Sequence, residues 1–200
     1  MFLIMLLKWL VERDIQVKNN NLNIFILAGG KSSRFGENKA FQKIYKKTFL
    51  EYLKSKFEKF GKVYFCFKVK RYPKIFKNSF LEKAKVYAPI FGIYESLKKS
   101  DARLNLFLAV DMPLISENLI KKLLSQKRSS CFLVDGKIQP FPILLEKTYF
   151  LHIEYFLKKN IYKLKYIFEN LNIQKLPLKK IYYNNYLRNF NYKKDIIFLY

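Results

Sequence analysis

Residues 22–28, Leu-Asn-Ile-Phe-Ile-Leu-Ala, form an apolar run that stops at Gly29-Gly30 and gives way to Lys31-Ser32-Ser33-Arg34-Phe35-Gly36-Glu37-Asn38-Lys39. A strand of this kind is buried on both faces. Such strands belong to parallel sheets covered by helices on either side. The run therefore restricts the chain to the α/β class and places a glycine-rich turn at the strand's carboxyl end.

The remaining pattern continues the same rhythm. Residues 48–60 carry Phe49, Leu50, Leu53, Phe57 and Phe60 at helical spacing, closed by Gly61. A second buried strand is predicted over 62–69, a short strand near 85–88 after a loop at Pro73, and a helix over 91–99. The third strong strand, Leu104 to Val110, ends at Asp111-Met112-Pro113, and Ser116 caps a helix reaching about residue 127. Residues 131–145 read as two strands about an Asp135-Gly136 turn, forming a lobe added at the strands' carboxyl edge. Residues 148–171 look helical, and 173–200 hold a short strand, an Asn- and Tyr-rich loop and a last helix. The expected architecture is a three-layer α/β/α, Rossmann-like domain with a mainly parallel sheet over 22–200. Residues 1–21 are expected to form a helical N-terminal extension. Their apolar stretch has no basic segment before it, is interrupted by Lys8 and is too short to span a bilayer, so a cytoplasmic protein without stable membrane insertion is expected.

Composition enters where partners are concerned. The 39 Lys and Arg against 15 Asp and Glu give a net charge of +24, which fits nucleic acid, anionic lipid or phosphorylated small molecules. Nearly all the excess is Lys scattered through every segment, which reads as a solvated surface in a Lys-, Asn- and Ile-rich chain. Cys66 and Cys131 each lie alone in an apolar run and read as buried strand residues. His152, the only histidine, has no histidine partner, which leaves little support for a His-dependent triad.

Two segments carry chemistry. After a buried strand, Gly29 and Gly30 let the backbone turn sharply and bring several N–H groups against an anion, and Arg34 and Lys39 add positive charge in register. The spacing is neither G-x-G-x-x-G nor a Walker A loop. Asp111 follows the third strand, so it faces the same crevice. A single carboxylate among phosphates is a typical Mg²⁺ ligand; an ordinary turn residue before Pro113 is the other reading.

Leu27-Ala28-Gly29-Gly30-Lys31-Ser32-Ser33-Arg34-Phe35-Gly36-Glu37-Asn38-Lys39-Ala40-Phe41, followed by Ala109-Val110-Asp111-Met112-Pro113-Leu114, resembles the molybdenum cofactor guanylyltransferases. These are nucleotidyltransferases that join a guanylate to molybdopterin. Ala88-Pro89-Ile90-Phe91-Gly92 is similar to the family's Gly-Pro-Leu-Ala-Gly segment, Gln139-Pro140-Phe141-Pro142 to its proline-containing strand, and Arg188-Asn189-Phe190-Asn191 to its late Asn-x-Asn motif.

The resemblance implies transfer of GMP from GTP to the molybdopterin cofactor, with loss of pyrophosphate. Leu27, Ala28, Gly29, Gly30, Lys39 and Asp111 would bind GTP; Arg34, Lys39 and Asp111 would be catalytic, with Asp111 holding Mg²⁺. Pro89, Gly92, Pro142, Asn189 and Asn191 would line the loops and the acceptor side. It further implies molybdenum-insertion and molybdoenzyme maturation proteins as partners, no nucleic acid, and a monomer or weak oligomer. The chain departs where the family carries a nucleotide-associated Asn, here Cys66-Phe67, and an acidic residue before the Gly-Pro segment, here Val86-Tyr87-Ala88. No base-reading residue is assigned. Two other readings stand beside this one: a nucleotidyltransferase using another NTP or a sugar phosphate, and a basic nucleic-acid-binding protein.

Overall fold

The structure is a computed structural model that describes residues 21–29, 39–44, 46–68, 78–83 and 86–190. The expected N-terminal helix, the Pro73 loop and the last helix near the C-terminus lie outside the described residues.

The apolar run forms β1 (Leu22–Leu27). A β2–β3 ribbon (Lys43–Ile44, Lys47–Thr48) leads into α1 (Phe49–Phe57). Thr48 and Glu51 close a capping box on α1. Next come β4 (Lys62–Phe67), β5 (Ser79–Leu81), α2 (Pro89–Lys99), β6 (Leu104–Ala109) and α3 (Glu117–Leu124), the last capped by Ser116. The chain continues through β7 (Ser130–Val134), β8 (Lys137–Glu146), α4 (Tyr149–Lys158), α5 (Leu164–Glu169), β9 (Gln174–Pro177) and α6 (Lys180–Tyr186).

Seven strands form one sheet in the order β5-β4-β1-β6-β8-β7-β9. β5, β4, β1 and β6 are mutually parallel, and β8 alone runs antiparallel to its neighbours β6 and β7. β1 is buried because both faces are covered. Ile24 and Ile26 pack with Phe49, Leu53 and Phe57 of α1 and Ile120 and Leu123 of α3. Phe25 packs on the opposite face with Ile90, Ile93 and Leu97 of α2 and Ile153 of α4. Across the strands Phe25 stacks on Tyr64 at 5.2 Å and on Phe107 at 5.3 Å between ring centroids. This is the three-layer α/β/α arrangement expected from the run.

Several details differ from the expectation. The short strand is β5 at 79–81 rather than at 85–88, since residues 86–88 are not a strand. The helical stretch 148–171 divides into α4 and α5 where Asn160 takes φ 57°. The Asn- and Tyr-rich segment is a helix, α6, instead of a loop.

The Asp135-Gly136 turn is present, with φ 47° and 71°, the left-handed pair that a two-residue hairpin requires. Its strands are not a separate lobe, because β8 is hydrogen-bonded into the sheet beside β6 from Leu104↔Glu146 to Phe107↔Ile143. Only the tip, where β8 pairs with β7 and no longer with β6, extends past the β6 carboxyl end.

Candidate active site

The parallel strands determine which residues meet. Leu27 of β1 is in register with Cys66 of β4 and with Ala109 of β6, and Cys66 is in register with Phe80 of β5. Two residues beyond each of these positions stand Gly29, Lys68, Asp111 and Glu82. The ladder continues past the strands through Ala28 N–H to Cys66 O at 2.9 Å, Val110 N–H to Leu27 O at 3.2 Å and Glu82 N–H to Phe67 O at 2.7 Å. Glu82, Lys68, Gly29 and Asp111 therefore form one row along the carboxyl edge, in the strand order β5, β4, β1, β6. The chain leaves β1 toward β4 and β5 and then crosses back to β6 on its other side. Gly29 and Asp111 thus flank the point where strand order reverses, where open α/β sheets bind ligands.

Of the residues singled out in the sequence, Leu27, Ala28, Gly29 and Asp111 lie on this edge. Leu27 ends β1, and buried Ala28 and Gly29 follow it. Lys39 opens a short 3₁₀ turn, Lys39–Phe41, whose Ala40 is fully buried in the core that holds α1. Asp111 is half-buried between the buried residues Val110 and Met112. Pro89 is the first residue of α2, a position that suits its fixed φ and missing N–H. Gly92, on the same helix, packs closely, since a Cβ there would lie 3.3 Å from both Cys66 Sγ and Leu27 Cδ2. Pro142 is buried one residue before Ile143, the last partner of β6, and so also reaches the carboxyl edge.

The late motif reaches the site through its backbone. The N–H of Phe190 donates to the carbonyl of Asp111 at 2.7 Å, while the Phe190 ring is buried edge-on against Phe49 at 6.2 Å. That contact brings exposed Asn189 alongside Asp111. Gly30, Arg34 and Asn191 lie outside the described residues.

Sequence reasoning missed Lys68 and Glu82. Their side chains are 6 % and 5 % exposed and form an ion pair at 2.7 Å. Lys68 Nζ also donates to the Val86 carbonyl and sits 4.6 Å from the centre of the Tyr87 ring. Burial raises the Glu82 carboxyl pKa above the ordinary carboxylate range, and the bond from Lys68 opposes that rise. The other carboxylate oxygen, Oε2, lies 3.4 Å from where a Cβ on Gly29 would stand and 3.5 Å from the same point on Gly92, so it faces the glycine turn and α2. The acidic residue that precedes Val86-Tyr87-Ala88 in the chain is Glu82. A signal existed, since Glu82 is the only acidic residue among positions 59–94.

Other chemistries find little support. Burial raises the Cys66 thiol pKa and pushes that of Cys131 up to about 11, so both stay protonated near neutrality and are poor nucleophiles. His152 is exposed, and its ring lies against that of Tyr149, with 5.3 Å between centroids. Among the described residues, no group of three or more His, Cys, Asp or Glu could hold a metal ion by itself. A single carboxylate such as Asp111 is a donor that fits Mg²⁺, an ion that takes one or two carboxylates and completes its shell with phosphate oxygens and water. No helix among the described residues is long and apolar enough to cross a membrane.

The sequence profile of the MobA-like NTP transferase domain family matches residues 24–173, from β1 to the residue before β9. The chain belongs to this family. The matched span of the MobA-like domain contains Gly29, Lys68, Glu82 and Asp111. Over 109 residues the domain is 33% identical to the molybdenum cofactor guanylyltransferase of Campylobacter jejuni subsp. doylei, an alignment covering 52% of this chain and 56% of that protein. The chain thus spans about half the length of the curated relatives it matches. Among solved structures, molybdopterin-guanine dinucleotide biosynthesis protein A from Archaeoglobus fulgidus superposes with a TM-score of 0.71 at 15% identity, over 88% of this chain and 96% of that one. A 2-C-methyl-D-erythritol 4-phosphate cytidylyltransferase from Thermus thermophilus superposes with a TM-score of 0.66 at 14% identity, over 90% and 97%. At such identities the likeness establishes the shared fold.

Proposed function

We propose that this MobA-like domain is a nucleotidyltransferase that transfers GMP from GTP to molybdopterin, releasing pyrophosphate and forming molybdopterin guanine dinucleotide. The observation that carries this reading is the placement of the Gly29 turn and Asp111 on one row at the sheet's topological switch point. In the reaction a terminal phosphate oxygen of the acceptor attacks the α-phosphorus of GTP in line, a new P–O bond forms, and the bond to pyrophosphate breaks. The nucleophile is already an anion, so neither a covalent enzyme intermediate nor a strong general base is required.

The residues act by positioning and by offsetting charge. Leu27 and Ala28 bring the backbone to the sheet edge, and Gly29 with Gly30 lets it approach the triphosphate without a Cβ in the way. Arg34 and Lys39 neutralise phosphate oxygens as pyrophosphate leaves. Asp111 would hold Mg²⁺, which would supply positive charge to offset that of the phosphates. Pro89, Gly92, Pro142, Asn189 and Asn191 shape the walls of the crevice, where the acceptor binds. In this reading the enzyme works in the cytoplasm, with molybdenum-insertion and molybdoenzyme maturation proteins supplying its substrate and receiving its product.

The test is pyrophosphate release over the four NTPs with molybdopterin or sugar phosphates, for the wild-type chain and Asp111→Ala. The expected result is turnover with GTP and molybdopterin that requires Mg²⁺ and is lost in the folded variant. Full activity of Asp111→Ala would refute the assignment of Asp111, and preference for a sugar phosphate would favour the related transferases.

A further inference from the structure

On the α2 side, the helix packs over β1 and β4, while β5 carries the sheet one strand further. Between that outer flank and the end of α2 lies a half-open cavity of about 190 Å³, lined by the rings of Phe25, Tyr64 and Phe80 together with Asn78, Lys99 and Ser100. It is separate from the nucleotide crevice. Tyr64 is four residues before Lys68 along β4, about 13 Å at the rise of a strand, and the register pair Cys66–Phe80 stands between Tyr64 and the Lys68–Glu82 ion pair.

The walls of the cavity are aromatic. Tyr64 stacks on Phe25 with 5.2 Å between ring centroids, and Phe80 meets Phe25 edge-on at 6.1 Å. Tyr64 and Phe80 are only half-buried, so part of each ring is left for another occupant, and a planar ring packs on such faces by offset stacking or edge contact. The charge beside these rings is positive. Lys99 Nζ sits 4.3 Å from the centre of the Phe80 ring, and Lys62 Nζ lies 5.1 Å from that of Tyr64.

The other polar groups nearby are already engaged. The Ser100 hydroxyl donates to Asn105 Oδ1 and accepts from Asn23 Nδ2 at 2.8 Å and from the Ala102 N–H at 3.1 Å. Asp101, the acidic residue next to Ser100, accepts from Asn23 Nδ2 at 2.7 Å. Asn78 Nδ2 reaches the Val63 carbonyl at 3.4 Å. Lys99, exposed at the end of α2, is therefore the group that can give a charged hydrogen bond to a ligand lying against Phe80. Size narrows the choice further: a cavity of about 150 Å³ holds benzene, so one of about 190 Å³ takes a single six-membered ring with a small substituent and is too small to enclose a nucleotide or a two-ring pterin.

We propose that this cavity is an accessory binding site for a single-ring aromatic carboxylate, its ring against Tyr64 and Phe80 and its carboxylate on Lys99 Nζ. The site goes beyond the transferase reading and does not depend on it.

The test is titration of the full chain with benzoate, followed by ligand-observed saturation-transfer NMR. The expected Kd is on the order of 0.1–1 mM, within the range open to a ligand of about nine non-hydrogen atoms. Benzyl alcohol keeps the ring without the charge and acetate keeps the charge without the ring; each should bind at least about tenfold more weakly than benzoate. Lys99→Met, which retains an unbranched stem over Phe80, should weaken benzoate about tenfold and leave benzyl alcohol unchanged, whereas Phe80→Leu should weaken both. Thermal melts establish that both variants are folded. GTP with Mg²⁺ should leave benzoate binding unchanged. Absence of saturable benzoate binding, acetate binding as tightly as benzoate, displacement of benzoate by GTP, or an unchanged benzoate affinity in folded Lys99→Met overturns the proposal, and none of these results bears on guanylyl transfer.

Discussion

Phe190 links the C-terminal segment to the candidate metal ligand, and its removal should be felt in both stability and catalysis. Its ring is 2 % exposed and packs edge-on against Phe49, while its N–H holds the Asp111 carbonyl at 2.7 Å. Truncating a buried Phe to Ala costs about 3–5 kcal/mol, from lost transfer energy and the cavity left behind. At roughly 2–4 °C per kcal/mol for a domain of this length, a loss of about 3 kcal/mol lowers Tm by about 6–12 °C.

Phe190 follows α6, a helix with no fully buried residue, so part of this loss can be taken up by local detachment of residues 187–190 instead of global unfolding. Detachment frees the Asp111 carbonyl and carries Asn189 away from the crevice. Phe190→Ala should therefore lose transfer activity at temperatures where circular dichroism shows the sheet intact. Phe190→Leu, which keeps most of the volume, should cost less than about 1.5 kcal/mol and retain activity. The assays are a thermal melt and pyrophosphate release on the same samples. A Phe190→Ala protein with wild-type Tm and wild-type kcat/KM would refute the claim that this contact anchors the site.

Other perturbations have equally definite outcomes. Lys39→Ala removes one charge-assisted phosphate contact and should lower kcat/KM by about 2–4 kcal/mol of transition-state stabilisation; unchanged kcat/KM would place Lys39 away from the site. Gly61→Ala would put a Cβ 2.5 Å from the Leu22 carbonyl oxygen, a backbone atom that cannot swing aside, so a loss of about 1–3 kcal/mol is expected in a urea melt. Because the folded-state pKa of Glu82 is raised, the native state binds more protons than the unfolded chain above the ordinary carboxylate pKa. Its contribution to stability must therefore fall as pH rises from about 4.5 through the raised value, then level off. Glu82→Gln should remove that part of the pH–stability curve, and an identical curve in the variant would contradict the placement of the carboxylate.

The central strands were legible because β1, β4 and β6 are apolar runs that only a sheet covered on both sides can bury. The glycine turn and Asp111 were legible because the carboxyl end of such a strand is where a ligand site lies. β5 was misplaced because it is a three-residue edge strand, with no fully buried residue and a sequence, Ser-Phe-Leu, that carries no periodicity. α6 was read as a loop because Ile-Tyr-Tyr-Asn-Asn-Tyr has low helix propensity and no fully buried residue of its own; the core contacts come from partly buried Tyr183 and from Leu187 and Phe190, just beyond its C-terminal end. Lys68 and Glu82 are 14 residues apart in the chain, and nothing in their local sequence joins them. Their partnership is a consequence of strand register, which appears only when β4 and β5 are paired.

The most direct test of the central claim follows the α-phosphorus. Incubation of the full chain with Mg²⁺, molybdopterin and GTP labelled at the α-phosphate should move the label into a pterin dinucleotide, with one pyrophosphate released for each label transferred. Label remaining in GTP or appearing as free GMP, with no labelled dinucleotide formed, would contradict guanylyl transfer at the Gly29–Asp111 crevice.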